Sequence, residues 1–152
     1  MRKVKIEFPT SKTVLYATLL EEKYPGLADD IWNALKEPLK CYVHNTLSTG
    51  DFCICRPLPP YHAPAHIGNQ SSPLGGEVPL LCELQNGEIM WAGWNFCLTY
   101  GPCTEPLVAM GPTMLKVDDQ YLDDFHEAGM DLWNHTYLYH TLATVTFSRE
   151  GE

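Results

Sequence analysis

The chain has 152 residues, enough for one domain with a real core, and 45% of them are hydrophobic against 19% charged, a balance that excludes intrinsic disorder. Ten basic residues face nineteen acidic ones, for a net charge of -9. Nucleic acid is therefore excluded as a partner, because phosphate binding needs clustered Lys and Arg. The opening MRKVKIEF lacks the apolar stretch of a signal peptide, and no run reaches the ~20 apolar residues of a membrane span. These features predict a cytoplasmic protein without membrane contact. The six cysteines, several of them in apolar segments, are expected to be reduced and buried.

Val4, Ile6 and Phe8 alternate with Lys3, Lys5 and Glu7, the period-two pattern of a half-buried strand. Pro9 to Lys12 read as a turn and Thr13 to Leu20 as the returning strand. After Pro25-Gly26, the residues Leu27, Ala28, Ile31, Trp32 and Leu35 recur at helical spacing. Asp29 and Asp30 fall in the first turn, where the helix dipole favours them. Lys40 to Asn45 and Phe52 to Arg56 predict a hairpin through Ser48-Thr49-Gly50-Asp51. Pro57 to Gly76 carries five prolines and three glycines and reads as a long, functional loop.

Val78 to Leu84 and Ile89 to Tyr100 read as two strands joined at Asn86-Gly87. Gly101 to Pro112 reads as a second loop. Asp118 or Asp119 is placed to cap a second helix with the apolar stripe Tyr121, Phe125, Ala128 and Leu132. Thr141 to Phe147 alternates again and returns a last strand. No repeat or linker interrupts residues 1–152, which predicts a single domain. This order is that of a mostly antiparallel β-barrel capped by two helices, an α+β fold.

KVKIEFP followed by GLADDIWNAL, then STGDFCICRPLPP, LGGEVPLL and NFCLTYGP, resembles a small bacterial cyclophilin-like family of unknown function. The resemblance implies that the first helix plugs one barrel end. It departs from the family at Gly75-Gly76-Glu77, where Pro-Gly-Asp is usual. No Phe-x-x-Gln follows Arg56, as it would in a prolyl isomerase. The fold is shared by cucumopine synthase, which condenses histidine with a keto acid in a Pictet–Spengler reaction. The resemblance thus implies a barrel suited to a small polar substrate and acid–base chemistry. A binding module for a metabolite or peptide, and a weak prolyl isomerase, are the alternatives.

Histidine carries protons near neutral pH, which singles out His62 and His66 in the long loop. The other reading of YHAPAH is a polar loop stiffened by its prolines. A metal at His62 and His66, with His44 or Glu77 as third ligand, is opposed by Pro64, which prevents the helix that i,i+4 ligands need. Neither metal nor cofactor is expected. His44 lies near Asp51, and a carboxylate-oriented imidazole is a common general base. Arg56 suits a substrate carboxylate, or an ion pair with a surface acid. Trp94 and Tyr100 share a strand face by parity. Trp94 is expected to wall the pocket, and Tyr100, before Gly101 at a strand end, to stabilise an oxyanion. His44, His62 and Tyr100 are thus the expected catalytic residues, and Arg56, His66 and Trp94 the expected substrate contacts. Cys53 and Cys55 read as small core residues, and His126, His135 and His140 as structural. The partner is a small-molecule substrate, and a homo-oligomer is a further expectation.

Overall fold

The computed structural model describes residues 1–46, 48–57, 78–91, 95–109 and 111–151. β1 (Lys3–Phe8) buries Val4, Ile6 and Phe8 and turns through Pro9–Lys12 into β2 (Thr13–Leu19). α1 (Pro25–Ala34) follows, with Pro25 in the first turn, where its missing N–H is not needed. β3 (Leu39–Asn45) and β4 (Gly50–Pro57) form the expected hairpin. Gly50 has φ 119°, a conformation that favours glycine, and sits tight against Pro102 and Cys103. β5 (Glu88–Trp91), β6 (Phe96–Cys103) and β7 (Thr113–Val117) come next. α2 (Leu122–Tyr137) and β8 (Thr144–Arg149) complete the described elements.

The strands close into an antiparallel barrel in the order β1-β2-β7-β5-β6-β4-β3-β8, with β8 pairing back onto β1. This is the α+β, cyclophilin-like barrel with two helices that the sequence implied. Inward positions fill one core: Ile6, Leu15, Cys53, Cys55, Trp91, Phe96, Leu98, Val145 and Phe147 among others. Ala28 and Ile31 of α1, and Phe125, Ala128 and Leu132 of α2, pack onto it. A second cluster lies on the outward face of β4, β6 and β5. There Phe52, Cys97, Cys103 and Met90 are covered by Leu81, Leu84 and Ala109. One run of apolar residues thus serves both faces of the sheet, as it does wherever a sheet is buried twice.

Three expectations are corrected. Ile89 to Tyr100 is two strands, since Trp91 and Phe96 face each other as antiparallel partners. The run is apolar on both faces, so no period-two pattern marked the reversal. Val78 to Leu84 makes only a bridge at Leu80 with Val108, then a short 3-10 turn over Leu81–Glu83. The strand β7 was not anticipated. Its five residues TMLKV follow a proline-bounded loop and are too short for a clear alternation.

All six cysteines are free, and only Cys82 is exposed. Burial raises Cys41 to about 12 and Cys103 to about 11, and pushes Cys55, Cys97 and Tyr100 well above their ordinary values. The neutral forms are therefore favoured by the fold. That stabilisation is complete below the unfolded thiol pKa of ~8.5, and it is lost as pH rises through the folded values. The melting temperature is expected to fall steadily from about pH 9 upward; a flat profile to strong alkali would contradict it. One thiol per folded chain, Cys82, is expected to react quickly with a disulfide reagent, and all six after denaturation.

Candidate functional site

A cleft of about 530 Å³ opens beside the outward face of β5 and β7. The β2–α1 connection supplies Leu20, Lys23 and Tyr24 on one wall. Val78, Pro79 and Glu83 form the other, and Glu88, Pro112 and Thr113 line the sheet side. The volume lies within the usual range for small-molecule pockets, roughly 300–1,000 Å³.

Glu88 stands at the start of β5, on the outward side because Ile89 must enter the core. Its carboxylate is held on both oxygens. Thr113 Oγ1 donates to Oε1 at 2.9 Å across the β5–β7 pair, and the Gln85 N–H donates to Oε2 at 2.7 Å. Glu88 is half-buried, so its position is set while one side still meets the cleft. Glu83 accepts the Leu80 N–H at 3.0 Å. Lys23 Nζ sits 5.7 Å from the Tyr24 ring centroid. Two carboxylates, one ammonium and one phenol thus line the same space. Such a lining suits a ligand that carries both an amine and a carboxylate.

The residues singled out in the sequence are placed differently. His44 is exposed on the outward face of β3, opposite Ile54. It does not meet Asp51, which lies toward the α2 end of the barrel. There Asp51 Oδ2 is 3.9 Å from His126 Nδ1. Arg56 is exposed on the outward face of β4, opposite Tyr42, and does not line the cleft. Tyr100 is corrected more strongly. It sits within β6 rather than at its end, fully buried beneath α2. Its hydroxyl donates to Asn45 Oδ1 at 3.4 Å, and burial holds the phenol neutral. It is a core residue. Trp91, expected on the same strand as Trp94, belongs to the core through β5. His62, His66 and Trp94 lie outside the described residues.

His126 Nδ1 donates to the Tyr100 carbonyl at 2.5 Å and so ties α2 to β6. Among the described residues, no group of three or more His, Cys, Asp or Glu is arranged to hold a metal ion, and no helix is long and apolar enough to cross a membrane. The sequence pattern singled out neither Glu83 nor Glu88, which the fold brings into the cleft. The usable signal was Glu88 itself, an acid directly after the Asn86-Gly87 turn and ahead of a buried strand.

No family model and no curated protein sequence matches the chain. Solved structures similar to it include two that cover nearly the whole chain. McbB, determined in complex with tryptophan, superposes with a TM-score of 0.81 at 20% identity, over 98% of this chain and 45% of McbB. The chain therefore spans less than half the length of that protein. The hypothetical protein AF2241 from Archaeoglobus fulgidus is similar with a TM-score of 0.53 at 13% identity, over 98% and 95% of the two chains. Identities this low show a common fold: the closed cyclophilin-like barrel is shared with a protein that binds tryptophan.

Proposed function

We propose that the chain is an acid–base enzyme acting on a small, amine-bearing metabolite, bound in the cleft between the β2–α1 connection and β5–β7. The observation that carries this reading is the doubly held carboxylate of Glu88 in a cleft of ligand size. The shared fold with a tryptophan-binding protein supports an amino acid as the ligand. In this reading Glu83 attracts the ammonium group, Lys23 the carboxylate, and Glu88 takes the proton.

The finer form of the proposal is a Pictet–Spengler condensation with a keto acid. The amine adds to the ketone and water leaves, giving an iminium. A ring carbon then attacks the iminium carbon, and its proton passes to the Glu88 carboxylate. His62 remains a proposed additional proton carrier and His66 a proposed substrate contact.

The test is a thermal-shift and calorimetric screen against tryptophan, histidine, other amines and keto acids, singly and in pairs. A ligand at ~100 times its dissociation constant adds about 2.7 kcal/mol, or roughly 5–10 °C for a chain of this size. A productive pair then yields a condensed product by mass spectrometry. Glu88→Gln keeps the size of the side chain, and is expected to lower turnover at least about 100-fold with ligand affinity changed far less. A ligand that binds and is recovered unaltered from every pair would make the protein a binding module. No shift with any compound would end the proposal.

A further inference from the structure

The outward face of β3, β4 and β8 differs from the rest of this acidic protein. Lys40, Tyr42 and His44 project from β3, Ile54 and Arg56 from β4, and Thr144 and Thr146 from β8. Lys40, His44 and Arg56 are exposed, and these outward positions hold no acid. On the next strand, Glu7 faces Lys5 at 3.6 Å. The apolar residues Leu138, Tyr139 and Leu142 border the face, being 58%, 58% and 79% exposed. The Val43 N–H, donating to the Ala143 carbonyl, holds this border against β3.

The opposite chemistry stands on α2. Asp123, Asp124, Glu127 and Met130 are exposed on the helix, and the spacing of Asp123, Glu127 and Met130 sets them on one stripe. Asp131 is engaged by Thr10 and lies near His135. Asp123, Asp124 and Glu127 have no ion pair among the described residues.

We infer that copies of this chain associate, the acidic stripe of α2 on one copy seating on the cationic β3–β4 face of the next, with Met130 against the Leu138–Leu142 border. Charge complementarity selects a second copy as the occupant, since the chain presents both halves of the contact. The net charge of -9 repels copies at long range. That repulsion is screened beyond ~8 Å at physiological salt, whereas contacting pairs are screened far less. Two different surfaces meet, so the contact is head-to-tail and either closes a ring or extends.

Sedimentation velocity on the full chain tests the contact by charge exchange. At roughly 100 µM, above the micromolar dissociation constant of a weak interface, the wild type is expected to sediment faster than a 17.2 kDa monomer. Lys40→Glu with Arg56→Glu returns it to the monomer, as does Asp123→Lys with Glu127→Lys. All four together restore association, because the charges again match. These side chains are exposed, so the reversals leave the core untouched. A monomeric wild type, association that neither pair of reversals affects, or a fourfold variant that stays monomeric would each overturn the inference.

Discussion

Phe96→Ala is expected to destabilise the fold by about 4 kcal/mol, within the range for emptying a buried aromatic site. Phe96 stacks on Phe147 with centroids 4.1 Å apart and tilts against Trp91 at 4.9 Å. All three are essentially buried. The Phe96–Phe147 stack joins β6 to β8, which are not neighbours in the barrel wall. Deleting the ring therefore removes a contact across the interior that no strand pairing replaces. Chemical denaturation should show the loss as a lower midpoint with an unchanged slope. A change under about 1 kcal/mol would mean the interior collapses to fill the space.

Gly129→Ala is the second large effect, and its sign runs against helix propensity. In an exposed helix interior, alanine stabilises by up to about 1 kcal/mol over glycine. Here an added Cβ would stand 2.7 Å from Tyr100 Cβ and closer still to its ring. Tyr100 has no free space to enter, being fully buried and bonded to Asn45. The helix must then lift from β6. Overpacking of this kind costs roughly 1–3 kcal/mol, and the rigid ring places it at the upper end. The net loss is expected near about 2 kcal/mol, seen as a melting temperature roughly 4–8 °C lower. An unchanged or raised melting temperature would show that α2 docks less closely. Gly101→Ala should cost less, because the group it meets is the side chain of Asp51, near the surface.

Much of this architecture was legible in the sequence, and the reasons are local. Val4, Ile6 and Phe8 face the core while Lys3, Lys5 and Glu7 face outward, so the period of two was visible. Phe125, Ala128 and Leu132 did the same for α2 at helical spacing. Where the sheet is buried on both faces the signal disappears. The segment from Ile89 to Tyr100 packs inward through Ile89, Trp91, Phe96 and Leu98 and outward through Met90 and Cys97. No alternation of polar and apolar residues within the two strands marked the reversal between β5 and β6.

The cleft was not legible in the sequence, for a related reason. His44, Arg56 and Tyr100 stand out by chemical type and by an expected place near strand ends, and neither says which face of the barrel a strand residue takes. Parity sends His44 and Arg56 outward on β3 and β4, and Tyr100 inward beneath α2. Beyond its place after a turn, Glu88 carries no distinguishing pattern in the sequence. What sets it apart is its pair of donors, one from Thr113, 25 residues away. That pairing appears only once β7 lies beside β5.

Closure of the barrel through β1 and β8 also sets a timetable. Lys5 faces Ser148, Ile6 faces Phe147, and the Glu150 N–H donates to the Lys3 carbonyl. Of the eight described strands, the earliest to be synthesised is therefore partnered on one side by the latest. Until β8 emerges, β1 and β3 each present a bare edge with an apolar face behind it. Synthesis at roughly 5–20 residues per second leaves those edges open for several seconds, the interval in which strand-to-strand aggregation competes with folding.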